Sequence, residues 1–140
     1  MSRAAAPVEE ATGIVLDAGA LRALERLDLK LLSALRIGHR MGLPIRVPGA
    51  ALAQVWRGGP RSAPLARLLK QPIGVVSVDE RAARQIGEFI ASLRLPSGAR
   101  VDVVDAHVAL TTRATKSLVY ASDPKDMLRY GVSPQRIRAL

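Results

Sequence analysis

The chain has 140 residues, enough for one domain with a real core and too few for two ordinary ones. It carries 21 Lys+Arg against 12 Asp+Glu, a net charge of +9, and no cysteine, which excludes disulfides, cysteine zinc sites and thiol chemistry. Hydrophobic residues make up 49% of it, but the only aromatics are Trp56, Phe89, Tyr120 and Tyr130. The core is therefore aliphatic, and single-strand recognition by base stacking is not expected.

Residues 1–12 read as a loose tail, without the apolar run of a signal peptide. The apolar run "GIVLD" (13–17) predicts a buried strand ending on Asp17. Leu21, Leu24, Leu27, Leu31, Leu32 and Leu35 follow at helical spacing, with Arg22, Arg26 and Lys30 on the opposite side, and predict one helix. "MGLP" (41–44) breaks it. "PIRVP" (44–48) is a short strand that opens directly into a helix over 50–57, followed by a turn at 58–60 and a helix over 63–70.

"IGVVSV" (73–78) is a third strand, and Asp79 is the N-cap of a helix that turns Ala82, Ile86, Phe89, Ile90 and Leu93 inward. After a loop at 95–100, residues 101–114 read as a helix, because Val104, Val108 and Thr111 recur at helical intervals. "SLVYAS" (117–122) is a fourth strand, "DPKDMLRYG" a short helix stopped by Gly131, and "RIRAL" an edge strand. Apolar strands alternating with helices predict an α/β fold, a three-layer α/β/α sandwich with a mostly parallel central sheet, in one domain over 13–140. No apolar run approaches the roughly 20 residues of a membrane span.

In open α/β sheets, ligands bind beyond the carboxyl ends of the strands. Asp17 and Asp123 stand at two such ends, and Asp102 and Asp105 lie three apart at the start of the helix that feeds the Asp123 strand. Each also has a plain structural reading. Asp17 and Asp102 are placed to cap helices, and Asp123-Pro124 with Asp126 is a good helix start. Asp105 has the least structural excuse, since a carboxylate among valines is costly unless paired or metal-bound. Carboxylates gathered without His or Cys suit Mg²⁺ or Mn²⁺, which activates water and steadies a phosphoryl oxygen. The basic balance favours a polyanion, although a solvated basic surface explains it too. Arg57 and Arg61, flanking the Gly-Gly turn, are candidate phosphate contacts, and His107 reads as a satisfied structural group.

Taken together, "IVLDAGAL", "VPGAALAQVWR", "DVVDAHVAL" and "ASDPKDML" resemble, in order and spacing over residues 13–130, the PIN-domain ribonucleases, specifically the VapC-like toxins of bacterial toxin–antitoxin pairs. The resemblance implies a Mg²⁺- or Mn²⁺-dependent endoribonuclease in the cytoplasm, commonly a homodimer and silenced by a cognate antitoxin. It assigns the catalytic acids to Asp17, Asp105 and Asp123, and accessory acids to Asp102 and Asp126. The second acid of such a site is usually glutamate. Here that position is Gln54, and Ala121 stands where a hydroxyl residue is common. Gln54 brings an oxygen but no charge, so metal binding should be weaker. Two other readings stand beside this one: a degenerate PIN-like protein acting by RNA or partner binding only, and a phospho-receiver module. The second lacks the acid pair after the first strand and the late lysine at a strand end.

Overall fold

Ile14, Val15 and Leu16 are wholly enclosed, and they form the middle strand of a five-stranded sheet. The computed structural model describes residues 11–71 and 73–140. The strands are β1 (Ile14–Leu16), β2 (Ile45–Pro48), β3 (Ile73–Val76), β4 (Leu118–Ala121) and β5 (Ile137–Ala139), in the order β3-β2-β1-β4-β5. Every pairing is parallel, with Ile14 beside both Ile45 and Leu118. The sheet is thus wholly, not mostly, parallel. It needs cover on both faces, and its inner strands are apolar throughout except for Arg46.

Seven α-helices lie among the described residues: α1 (Ala18–Glu25), α2 (Leu29–Arg40), α3 (Gly49–Val55), α4 (Ala63–Leu69), α5 (Glu80–Ser92), α6 (Val103–Thr115) and α7 (Pro124–Arg129). α6 packs on β1 and β2 between α5 and α7, while α1, with α2 and α4 against it, forms the other outer layer. The chain is an α/β/α sandwich around one aliphatic core. No helix among the described residues is long and apolar enough to cross a membrane.

The helix expected from Leu21 to Leu35 is two helices. Leu27 takes a left-handed conformation at φ 55°, and the N–H groups of Leu27 and Asp28 bond back to the carbonyls of Leu24 and Ala23. That closes α1 as a Schellman motif, with leucine where glycine is usual. Asp28 then caps α2, its Oδ1 accepting from the Leu31 N–H at 2.9 Å. The leucine spacing carries on through the break, which is why periodicity alone misses it. Gly42, at φ 77°, ends α2 in the same way and allows the turn into β2.

Residues 1–10 of the expected tail lie outside the described residues. Ala11 is already buried, and Thr12 bonds to the carbonyls of Thr115 and Lys116, so packing begins before Gly13. The third strand stops at Val76 and is an edge strand with Gly74 and Val75 exposed. Asp79 caps α5 as expected, accepting from the Ala82 N–H at 2.8 Å, and Ile86 and Phe89 point inward.

Candidate functional site

From β1 the chain moves outward to β2 and β3, then crosses back to β4 and β5 on the other side. The strand order therefore reverses between β1 and β4, the place where open α/β sheets form a crevice. Asp17 follows β1 directly, and Ser122 and Asp123 follow β4. The starts of α1, α6 and α7 meet on this edge: α1 and α7 follow β1 and β4 directly, and α6 runs from this edge to the opposite one, where parallel β4 begins.

Asp17 is 7% exposed and holds the two strand ends together. Its Oδ1 accepts from the Ala20 N–H at 2.7 Å, capping α1, and its Oδ2 accepts from the Ser122 N–H at 3.1 Å. Cap and site are thus the same residue, as the sequence allowed. Burial raises its pKa; bonds from the Ala20, Ser122 and Gly19 N–H groups and the Arg22 charge oppose that rise. Gly19 permits this closeness. A Cβ there would lie 2.3 Å from the Ser122 hydroxyl and 2.4 Å from its Cβ.

Asp102 caps α6, with Oδ1 accepting from the Asp105 N–H at 3.1 Å, while its own N–H donates to the Tyr130 hydroxyl at 2.9 Å. Tyr130 is fully buried, so it fixes the start of α6 against the end of α7. Asp123 caps α7, accepting from the Lys125 N–H at 3.0 Å. Asp105 sits half-buried in the first turn of α6. Burial pushes its carboxyl up to about 7, and the charges of Asp102, Asp126, Asp17 and Asp123 push the same way. Asp126 is raised by burial and by Asp123, with Arg129 opposing. The other four predicted acids thus all act on Asp105, at a single edge.

Gln54 is exposed on α3, a helix that touches both α1 and α6. Its amide has no hydrogen-bond partner among the described residues. Arg57 folds back, its Nη1 donating to the carbonyls of Trp56 at 2.7 Å and Ala53 at 3.4 Å, so it finishes α3. Arg61 pairs through Nε with Glu25 Oε2 at 3.4 Å. Neither arginine is tied to the acids. Buried His107 differs from the expectation of a satisfied group: its Nδ1 has no partner among the described residues, and burial lowers its pKa. It lines a cavity of about 210 Å³ that also borders Arg46 and Gln85.

Among the described residues, no three carboxylate or imidazole groups stand close enough to enclose a metal ion. Repulsion reaches across several ångströms, whereas coordination to Mg²⁺ needs about 2.1 Å. The acids are therefore gathered but not closed upon a centre. Their chemistry fits a hard divalent cation: oxygen donors only, with Asp105 pushed toward its neutral form by burial and by its neighbours. No protein-family model matches the chain, and no curated protein does. The fold and its acidic edge define the class: an α/β protein with a carboxylate cluster at its strand-order reversal.

Proposed function

We propose that the chain is a metal-dependent endoribonuclease of the PIN-domain, VapC toxin type. The observation that carries this reading is Asp105, half-buried at the sheet's carboxyl edge and raised to about 7 by burial and by the charges of four other carboxylates. Such a cluster destabilises the folded chain unless a cation joins it, which points to a site kept for function. The net charge of +9 suits RNA as substrate.

In this reading Asp17, Asp105 and Asp123 would hold Mg²⁺ or Mn²⁺, which would supply Lewis acidity and an activated water for phosphodiester hydrolysis. Asp17 is held rigid by its two backbone bonds. Asp105, its carboxyl raised to about 7 by burial and by its neighbours, would be the ligand whose proton has to be lost for the cation to be held. Asp102 and Asp126 deepen the negative field at the rim, and Gln54 offers a neutral oxygen from α3. A cognate antitoxin, a homodimer and a cytoplasmic setting belong to the same proposal.

A specific observation favours a second reading, binding without catalysis: uncharged Gln54 stands where the resemblance implies an acid, and no three carboxylates close on one point among the described residues. Incubating the protein with labelled RNA and Mn²⁺ separates the two. Cleavage that disappears with EDTA and in Asp105→Asn supports the nuclease. RNA binding without cleavage by a well-folded wild type supports the second reading.

A further inference from the structure

α1 begins at Asp17 and ends on a different kind of surface. Its last turn carries Arg22 and Glu25, Arg26 caps it, and across from them lie Pro60 and Arg61, from the turn between α3 and α4, and Pro64, from the start of α4. Together these six residues line an open groove of about 380 Å³. Three cations face one anion. The Glu25 side chain is only 8% exposed and sits at the base, held by Arg61 Nε. The Arg61 side chain is 62% exposed, and its two Nη groups have no partner among the described residues. Arg22 and Arg26, the C-cap of α1, stand one helical turn apart, and their side chains likewise make no hydrogen bond or ion pair among the described residues.

We infer that this groove binds the phosphate backbone of RNA and delivers the strand to the acidic edge, an assignment that rests on the nuclease reading for its destination. Arg22 links the two ends: it lines the groove, and its charge is felt by Asp17. An eight-residue helix spans roughly 12 Å, so the groove opens within about two turns of the carboxylates. A polyanion cannot approach five carboxylates unaided, and arginines beside the cluster supply the attraction. Guanidinium groups contact phosphate oxygens in pairs and fix register without reading sequence. Glu25 acts here as a positioning residue. It stands 3.4 Å from Arg61 Nε, an ion pair without hydrogen-bond geometry, and the largely exposed Arg61 keeps both Nη groups without a partner among the described residues. The periodicity of the sequence sets Arg22 and Arg26 merely on the polar side of a helix; only the fold brings Arg61 opposite them.

The test measures binding apart from cleavage. A fluorescein-labelled uridine oligonucleotide is titrated with protein in EDTA, by anisotropy, across a series of salt concentrations. Arg22→Gln/Arg26→Gln should lower the slope of log K against log salt by about 1.4, two phosphate contacts at about 0.7 each. Arg61→Gln should lower it by about 0.7. Melting temperature and circular dichroism check the fold; Arg26→Gln, exposed and unpaired, is the variant least able to disturb it. An unchanged slope in the double variant, or no binding by the wild type at low salt, overturns the groove. Cleavage assays then separate the two claims. Wild-type cleavage with KM unaltered in the double variant overturns the groove and leaves the nuclease. Groove-dependent binding without any cleavage overturns the nuclease and leaves the groove.

Discussion

The two ends of α1 handle carboxylates in opposite ways. At its start, Asp17 stands with Asp102, Asp105, Asp123 and Asp126, and Asp105 is pushed up to about 7. At its other end, Glu25 is nearly enclosed yet paired with Arg61, and Arg22 and Arg26 line the same groove. A chain with 21 basic residues has no shortage of arginine to answer its acids. It pairs the lone one and gives the cluster no ion pair among the described residues, only the more distant charges of Arg22 and Arg129. The pairing of Glu25 is what stability asks for, whereas the repulsion at the acidic edge opposes stability, a cost that the proposed cation would relieve.

The largest effect that would break this contrast is on chemistry. Asp17→Asn/Asp105→Asn should lower Mn²⁺-dependent RNA cleavage by about a hundredfold or more, since several kcal/mol of charge stabilisation go with the metal. Residual cleavage near wild type, measured by gel under single-turnover conditions, would detach the acids from any reaction. Next comes packing at the same edge. Gly19→Ala places a methyl against Ser122 and should cost about 1–3 kcal/mol in urea unfolding.

Smaller, but more diagnostic, is the pH dependence of stability. The Asp105 carboxyl has a higher pKa folded than unfolded, so the folded state holds the extra proton. Its contribution is present below about pH 4 and is lost as pH rises through about 7. The shift corresponds to about 4 kcal/mol for an enclosed group, which solvent at this half-open site reduces to about 2 kcal/mol. Without divalent ions, Asp105→Asn should therefore be more stable than wild type at pH 8 by about 2 kcal/mol, and the gap should close toward pH 4. Glu25→Gln should show the reverse sign, a loss of about 0.5–1 kcal/mol from breaking a partly exposed pair. Parallel urea melts of both variants sharpen the contrast, and equal signs would erase it.

Much of this was legible in the sequence, and the reasons differ by residue. Strand β1 and its terminal Asp17 follow from an apolar run that stops at a capping residue, and β4 with Asp123 repeats the pattern. Asp105 stood out because a carboxylate among valines needs a reason. The break at Leu27 was hidden because leucine fills a position where glycine signals a stop, while the apolar spacing continues beyond it. The hydroxyl of Tyr130, which holds the start of α6, lies 28 residues from the Asp102 it bonds, a distance that local patterns do not span. The pairing of Arg61 with Glu25 and the fold-back of Arg57 likewise depend on which elements meet in space. For His107, no pattern of types reveals that a cavity leaves Nδ1 unpartnered.

The central claim is that the acids at the start of α1, α6 and α7 are gathered for a divalent cation. Calorimetric titration of Mn²⁺ into the metal-free protein tests it most directly, beside Asp17→Asn/Asp105→Asn of checked fold. The account predicts saturable binding by the wild type, with proton release near neutral pH as Asp105 ionises, and loss of both in the double variant. Absence of saturable binding by the wild type, or binding retained in the double variant, would contradict it.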